Sequence, residues 1–246
     1  MKNKPLSKKK KVTKRIAIIP ARGGSKRIPG KNLVRVNGVP IIDYAIKTAI
    51  DSKLFSSVLV SSDDDSILKH ASLIQGVSVN QRPERLSGDQ STIYSVLQYE
   101  VNRLSRDGVE FDEVWLISAT ACLLEVNDLQ RMSEVFDRDS LTNSLLGVTE
   151  YDVPIQWAMR INNDGKLSST DFKSFLNRSQ DLVKYYHDAG CIAAFRKSVF
   201  TKYVDGVPEG EFHPFVLDRA KALDIDYPQD LVLAEALLIA REMHSL

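Results

Sequence analysis

The chain has 246 residues, with 33 Lys and Arg against 32 Asp and Glu, and 43% of its residues are hydrophobic. This composition is typical of a soluble globular protein, and the length fits one large α/β domain. No apolar run approaches the roughly 18 residues that a membrane-spanning helix needs. The two cysteines, Cys122 and Cys191, lack the spacing of a zinc site or a disulfide framework, so we expect a cytoplasmic protein.

The amino-terminal segment is strongly basic, since eight of the first 15 residues are Lys or Arg and none is acidic. Such a run can bind nucleic acid or an anionic membrane, but it is more often a solvated, disordered extension. It lacks the apolar core of a signal peptide. We therefore divide the chain into a basic tail over residues 1–14, whose role stays open, and a domain over residues 15–246. Nucleic-acid binding is the less favoured alternative.

The first predicted strand leads into a basic loop that contains glycine. Residues 16–19 are a continuous apolar run of strand length, and Pro20 ends it because proline cannot donate to a sheet ladder. Open α/β sheets bind ligands at this carboxyl end of their strands. Gly23 and Gly24 let main-chain N–H groups approach an anion, and Ser25 adds a hydroxyl donor. Four cations within ten residues can offset the charge of a nucleoside triphosphate together with a metal ion; they are Arg22, Lys26, Arg27 and Lys31.

Two nucleotide-binding signatures are missing from this loop. It is not a Walker A sequence, and it lacks the Gly-x-Gly-x-x-Gly fingerprint of dinucleotide sites, which disfavours a P-loop kinase or a dehydrogenase. The remaining alternative is a solvated basic turn without function.

Strand and helix patterns alternate along the rest of the chain. Predicted strands cover residues 57–61, 77–79, 114–117, 145–148 and 158–161, and predicted helices cover residues 40–50, 93–104 and 126–137, with one that ends at Ile74 and one that begins at Pro228. Asp63, Asp64 and Asp65 precede a helix, and we favour a helix cap over a metal site there. This alternation predicts a three-layer α/β domain with a mostly parallel, Rossmann-like sheet.

Two aspartates precede the last predicted helix. In a strand, residues two apart point to the same side, so Asp224 and Asp226 can both face one Mg²⁺, which prefers oxygen ligands. The alternative is that they cap the helix that begins at Pro228. We favour the metal site because the basic glycine loop lies in the same chain.

Together these motifs resemble the CMP-sialic acid synthetases, or acylneuraminate cytidylyltransferases. Residues 20–26 with Lys31 and Asn32 resemble the family's amino-terminal signature, residues 224–226 resemble its metal motif, and the resemblance extends from about Ile16 to the carboxyl terminus. It implies a nucleotidyltransferase that transfers CMP from CTP to a nine-carbon α-keto acid sugar and releases pyrophosphate. It also implies Mg²⁺, a homodimer and a small dimerisation arm over about residues 150–190.

The resemblance assigns residues by the motifs that they match. Arg22, Lys31 and Asn32 are the implied catalytic residues, and Asp224 and Asp226 hold the metal. The implied nucleotide-binding residues are Ala21, Arg22, Gly23, Gly24, Ser25, Lys26, Lys31, Asn32, Arg82, Ser91 and Thr92. The implied sugar-binding residues are Thr120, Gln156, Arg178, Gln180 and Asp188.

Pseudaminic acid is the favoured sugar, from residues 23–29, Pro154-Ile155-Gln156 and residues 187–190 taken together. Arg178 is a natural partner for the sugar carboxylate, although an ordinary surface ion pair is the alternative. N-acetylneuraminic, legionaminic and octulosonic acids stay open as acceptors, and so does a non-catalytic module that binds a nucleotide sugar or RNA. The chain departs from the family pattern at Ser118, Cys122, Trp157 and residues 192–195.

Overall fold

The computed structural model describes residues 13–88, 90–203, 206–207 and 210–244. Apart from Thr13 and Lys14, the predicted basic tail lies outside the described residues. In the part of the chain that is described, no helix is both long enough and apolar enough to cross a membrane.

A seven-stranded sheet forms the centre of the domain. Its strands are β1 (Arg15–Pro20), β4 (Ser57–Ser62), β5 (Val77–Gln81), β6 (Glu113–Ile117), β7 (Ser144–Glu150), β10 (Tyr186–Arg196) and β11 (Phe212–Val216). Their order across the sheet is β11-β7-β10-β6-β1-β4-β5. Only β10 runs antiparallel to its neighbours, β6 and β7, so the mostly parallel sheet is confirmed. Two small hairpins complete the strands: β2 (Arg35–Val36) with β3 (Val39–Pro40), and β8 (Met159–Ile161) with β9 (Leu167–Ser169).

Helices cover both faces of the sheet. They are α1 (Ile41–Asp51), α2 (Asp65–Ser72), α3 (Ile93–Arg106), α4 (Val126–Arg138), α5 (Phe172–Phe175), α6 (Val199–Lys202) and α7 (Pro228–His244). Successive side chains of a strand point to opposite faces. Accordingly, Ile16 and Ile18 of β1 pack in a buried cluster with α3, whereas Ala17 and Ile19 pack in one with α1 and α4. None of these four residues is more than 1% exposed, and the three predicted layers are confirmed.

The prediction of a helix cap after β4 is also confirmed. Asp64 is the N-cap of α2, and its side chain accepts hydrogen bonds from the backbone N–H groups of Ser66 and Ile67. Hydrogen bonds from Ser66 hold the pKa of Asp64 below its usual value.

Two strands of the central sheet were not predicted from the sequence. β10 begins with the polar residues 186–188, contains Gly190, and shifts register against β7 between Asp188 and Ala193. β11 carries Pro214 and lies at the edge of the sheet, where a missing N–H donor is tolerated. Both strands therefore lack the continuous apolar run that identified β1.

The prediction that residues 224–226 form a strand is wrong. These residues form no strand, and they follow a short 3₁₀ turn (Arg219–Ala222). The alternation of side chains is nevertheless kept, because Ile225 is fully buried while Asp224 is exposed.

The segment between β7 and β10, residues 151–185, is called the arm. It holds the β8–β9 hairpin and α5, and it joins strands that are antiparallel sheet neighbours. β7 is parallel to β6 and β1, so the arm leaves the sheet at the edge where β1 and β6 end. Large apolar side chains of the arm are exposed to solvent, among them Ile161 at 72%, Leu176 at 69% and Val183 at 71%.

Candidate active site

A pocket of about 440 Å³ lies between the loop after β1 and the turn after β6. It is at the carboxyl edge of the parallel strands, as the sequence predicts. It brings together seven predicted site residues from three distant parts of the chain. They are Arg22, Ser25, Lys26, Lys31, Asn32, Thr120 and Asp226, and Arg27 and Ser118 also line the pocket.

The loop after β1 is held mainly by its own backbone and by two side chains. Asn32 is buried, and its amide donates to the carbonyl oxygen of Arg22 at 2.8 Å. The N–H of Gly23 donates to Asp63 Oδ1 at 3.1 Å, and the N–H of Ser25 donates to the carbonyl of Gly23 at 2.8 Å. These two N–H groups are thus satisfied within the protein, which corrects the prediction that Gly23 offers its N–H to an anion. Asn32 thus holds the backbone of the loop and also lines the pocket.

Gly23 is required by its surroundings. A Cβ atom at this position would lie 2.5 Å from Asp64 Oδ2 and 2.8 Å from Asp64 Cβ, so no larger residue fits without a shift. Gly24 meets nothing within 4 Å. Gly30 has φ of 65°, a left-handed conformation that favours glycine, and it begins the 3₁₀ turn that carries Lys31 and Asn32 into the pocket.

Asp226 lies against two cations of the loop. Lys31 Nζ is 2.6 Å from the carbonyl oxygen of Ile225 and 3.4 Å from Asp226 Oδ1. Arg27 Nη1 is 2.9 Å from Asp226 Oδ2, and the Arg27 guanidinium lies 5.1 Å from the ring centroid of Tyr227. Ion pairs therefore connect the loop after β1 to the segment before α7 across the pocket.

The alternative that Asp224 or Asp226 caps α7 does not match the hydrogen bonds. Asp230 Oδ2 accepts from the backbone N–H groups of Asp226 and Tyr227, at 2.8 and 2.7 Å. Asp230, in the first turn of α7, thus fixes the two backbone N–H groups just before the helix, and among the described residues no hydrogen bond joins the carboxylate of Asp224 or Asp226 to that turn.

Asp224 lies beside a neighbouring groove of about 620 Å³, which Thr149, His187 and Arg219 also line. Desolvation raises the pKa of Asp224 and the charge of Asp226 raises it further, whereas Lys31 and Arg27 lower it. Arg219 pairs with Asp152 at the base of the arm. The groove therefore meets the pocket at the segment that carries both aspartates.

The donor set fits Mg²⁺ only as a partial ligand shell. Among the described residues, no group of three or more His, Cys, Asp and Glu could hold a metal ion. Asp224 and Asp226 supply carboxylate oxygens next to a cation-rich pocket, and Mg²⁺ in proteins often has one or two carboxylates completed by waters and substrate phosphates. The two residues fit that pattern by their donor type, with Asp226 lining the pocket and Asp224 lining the neighbouring groove.

The predicted nucleoside residues lie in two places. Arg82 is buried, and its Nη2 lies 3.3 Å from Asp63 Oδ1, the same oxygen that accepts from Gly23. Ser91 donates to the carbonyl of Arg85, and Thr92 Oγ1 caps α3 by accepting from the N–H of Ser95. Neither hydroxyl lines the pocket. Ser91 instead lines a larger groove of about 980 Å³ along α3, which contains no residue of the loop after β1.

The predicted sugar residues do not lie together in the structure. Thr120 lies in the pocket, with its hydroxyl 3.1 Å from that of Ser118. Asp188 accepts from the N–H of Gly190. Gln156 and Gln180 lie in the arm, and exposed Arg178 pairs with Asp181 at 2.9 Å, which is the surface ion pair named as the alternative.

Sequence reasoning missed Asp63 and the partner of Arg27. Asp63 directly follows β4, and it was interpreted only as part of a cap. Arg27 was counted as a cation of the loop without its partner Asp226. The position of Asp63 at the carboxyl end of a buried strand was the available signal.

Neither cysteine has the properties of a nucleophile. Burial raises the pKa of Cys122 to about 11 and that of Cys191 to about 12. The reactive form of a cysteine is the thiolate, which is scarce at neutral pH under these conditions. The departure from the family pattern at Cys122 therefore adds no covalent chemistry to the site.

Comparisons with known proteins agree with this geometry. A pseudaminic acid cytidylyltransferase of Campylobacter jejuni is 37% identical over 224 residues, which cover 91% of this chain and 96% of that protein. An N-acylneuraminate cytidylyltransferase of Escherichia coli is 25% identical over 90% of this chain and 51% of its own length. A CMP:2-keto-3-deoxy-manno-octonic acid synthetase solved with CTP has a similar fold, with a TM-score of 0.68 at 18% identity over 94% of this chain and 100% of that one.

The family model described as cytidylyltransferase matches residues 16–223, which include the basic loop, the turn after β6 and the arm. The resemblance predicted from the motifs is thereby confirmed, and the chain belongs to the cytidylyltransferase family.

Proposed function

We propose that this enzyme transfers CMP from CTP to pseudaminic acid and releases pyrophosphate. The observation that carries the proposal is the pocket at the carboxyl edge of β1 and β6, where cations of one loop converge with Asp226. The match to the C. jejuni pseudaminic acid cytidylyltransferase along nearly the whole of both chains supports the choice of sugar.

In the proposed reaction, the anomeric hydroxyl of the sugar attacks the α-phosphorus of CTP. A new bond forms between that oxygen and the α-phosphorus, the bond to the bridging oxygen of the β-phosphate breaks, and pyrophosphate leaves with the electron pair. The hydroxyl proton goes to solvent or to a nearby base. Such phosphoryl chemistry needs positioning and charge neutralisation more than a covalent catalyst.

The residues of the loop are suited to this task. Arg22, Lys26 and Lys31 would bind the phosphate oxygens, and Ser25 adds a hydroxyl donor at the same pocket. Asn32 contributes by holding the backbone of Arg22 in place. Charge-assisted hydrogen bonds from these groups stabilise the charge that grows on the leaving pyrophosphate.

Asp224 and Asp226 would hold Mg²⁺. A bound Mg²⁺ would polarise the phosphates and neutralise part of their charge. Lys31 and Arg27 keep the Asp226 carboxylate at the edge of the pocket, so the ligand oxygens are already near the phosphate-binding cations.

The sugar is proposed to lie in the groove beside Asp224. This groove lies at the base of the arm and is lined by polar groups such as Thr149 and His187. The arm is proposed to mediate a homodimer, because its exposed apolar side chains need a partner surface. A cytoplasmic location stays a prediction.

The test is pyrophosphate release with CTP and Mg²⁺ against pseudaminic, legionaminic, N-acetylneuraminic and octulosonic acids, each with an EDTA control. We expect release with pseudaminic acid that EDTA abolishes. Release with another sugar would correct the acceptor, and release with none would contradict the proposed function. RNA binding that is lost on deleting residues 1–14, without pyrophosphate release, would favour the non-catalytic alternative.

A further inference from the structure

One carboxylate oxygen joins two loops that follow different strands. Asp63 is the first residue after β4, and its Oδ1 accepts from the Gly23 N–H at 3.1 Å and from Arg82 Nη2 at 3.3 Å. Gly23 belongs to the loop after β1, and Arg82 follows β5 directly. β4 lies between β1 and β5 in the sheet, so Asp63 stands between the two loops.

The Gly23 side of this junction has little freedom to move. Asp64 packs so closely on Gly23 that a Cβ atom there would lie 2.5 Å from its Oδ2. Asp64 is itself fixed as the N-cap of α2. The loop after β1 thus packs against the residues that follow β4 and is hydrogen-bonded there to Asp63.

The Arg82 side is unusual in its burial. The Arg82 side chain is 4% exposed, and Asp63 is the acidic partner that the structure gives it. Its backbone N–H donates to the carbonyl of Ser62, which fixes the main chain. Its Nε has no hydrogen-bond partner among the described residues. A buried guanidinium needs a charged partner to offset its desolvation, and an unsatisfied buried donor is costly unless a ligand accepts from it.

We infer that Asp63 is a positioning residue that couples nucleoside binding to phosphate binding, by fixing Arg82 and the loop of Gly23 through one carboxylate. The inference rests on the proposed use of CTP and on the nucleoside-binding role that the resemblance implies for Arg82. Asp63 is not among the residues that line the pocket, so it acts through these two partners. Removing its carboxylate leaves the Gly23 N–H unsatisfied and Arg82 buried without its acidic partner, and both halves of the nucleotide site loosen together.

The test is binding by calorimetry of two probes, CTP and inorganic tripolyphosphate, with Mg²⁺ and without sugar. For Asp63→Ala we expect CTP to bind about tenfold or more weakly and tripolyphosphate about threefold more weakly, since each lost partner leaves an unsatisfied group. For Arg82→Lys we expect weaker CTP binding and tripolyphosphate binding within about twofold of wild type, because only the nucleoside half is changed.

The matched control is Asp65→Asn, two residues away. Asp65 is an exposed carboxylate of α2 whose side chain accepts from Gln81 Nε2. We expect both probes to bind this variant within about twofold of wild type, as for most surface changes. Thermal melts show that each variant is folded at the temperature of the binding measurement.

Asp63→Asn decides the matter if Asp63→Ala does not fold. It keeps one acceptor oxygen and loses the charge, so we expect CTP binding about threefold weaker. In the double variant with Arg82→Lys, the loss should be smaller than the product of the two single losses, because both changes act on one contact.

Three results would overturn the inference. They are unchanged CTP binding in a folded Asp63 variant, weakened CTP binding with unchanged tripolyphosphate binding in Asp63→Ala, and independent losses in the double variant. Wild-type protein that binds CTP but releases no pyrophosphate with any sugar would contradict the proposed function and leave this inference intact.

Discussion

The pocket and the arm lie at the same edge of the sheet, but their side chains have opposite surroundings. Around the pocket, charges find partners within the chain, as Asp226 does with Lys31 and Arg27, and as Asp63 does with Arg82. In the arm, Ile161 and Leu176 keep more than two thirds of their surface in solvent, at 72% and 69%.

One copy of the chain therefore provides partners for these charged side chains, but it does not cover the apolar side chains of the arm. The proposed phosphate-binding residues lie together at the edge of the sheet within one copy of the chain. The arm offers apolar surface and carries Gln156, Arg178 and Gln180 away from the pocket. Changes at the pocket should therefore affect chemistry in each copy, whereas changes in the arm should affect assembly first.

The largest effect is expected for Asp226→Ala. Loss of this carboxylate removes a proposed metal ligand and the partner of two cations, and turnover should fall by about 10²- to 10³-fold or more. Pyrophosphate release measures the loss, and a thermal melt checks the fold. Asp218→Ala, an exposed neighbour outside the pocket, should keep wild-type turnover. Normal turnover in a folded Asp226→Ala protein would rule out the assignment.

A large effect on assembly is expected when an aspartate replaces an apolar residue of the arm. Ile161→Asp and Leu176→Asp should convert the proposed dimer to monomer in light scattering, because a charge in an apolar interface is desolvated without a partner. The melting temperature of the monomer should change little, since both side chains are exposed within one copy. Lys173→Asp, on the same arm, removes no apolar surface and should leave the dimer intact. A wild-type protein that is monomeric at micromolar concentration would contradict this interpretation of the arm.

A moderate effect is expected for Arg27→Ala, which removes one of the two cations on Asp226. The KM for CTP and the Mg²⁺ concentration for half-maximal rate should change by about threefold to tenfold, and the melting temperature should change little because the pair is partly exposed. Arg27→Lys keeps the charge but loses the planar, forked guanidinium. Its KM for CTP and its Mg²⁺ dependence should therefore lie between those of wild type and Arg27→Ala. Identical KM and Mg²⁺ dependence in all three proteins would show that the pair has no part in the site.

The smallest effect is expected for Cys122→Ala. Burial raises the pKa of this thiol to about 11, so the thiol stays protonated at pH 7.5 and its thiolate fraction rises only as the pH approaches that value. Turnover should stay within about twofold of wild type. Iodoacetamide should not inactivate the native enzyme at pH 7.5; rapid inactivation that Cys122→Ala abolishes would show that the thiol takes part.

Sequence patterns predicted the strands whose burial produces a continuous apolar run. β1 is covered on both faces and forms a continuous apolar run, so its position and its loop could be identified. β10 starts with polar residues and changes register, and β11 contains a proline, so neither follows a simple period. These strands are specified by their neighbours in the sheet rather than by their own composition.

The candidate site was predictable where its residues are close in sequence. Arg22 to Asn32 follow one strand, so their meeting needs only local structure. The junction of Gly23, Asp63 and Arg82 depends on β4 lying between β1 and β5, which no local pattern specifies. The positions of Arg178 and Gln180 depend on how the arm is folded and on its proposed partner surface. No local sequence pattern predicts that geometry.

The single antiparallel strand of the central sheet, β10, affects how the sequence of this domain can change. Since β10 pairs with β7 in the opposite direction, the whole arm is an insertion within one hairpin connection, and its two ends return to adjacent positions at Glu150 and Tyr186. An insertion of this kind can grow, shrink or be exchanged without rerouting any other strand. Exchange of this one segment would therefore alter the proposed dimer surface while the loop after β1 and its contact with β4 stay unchanged.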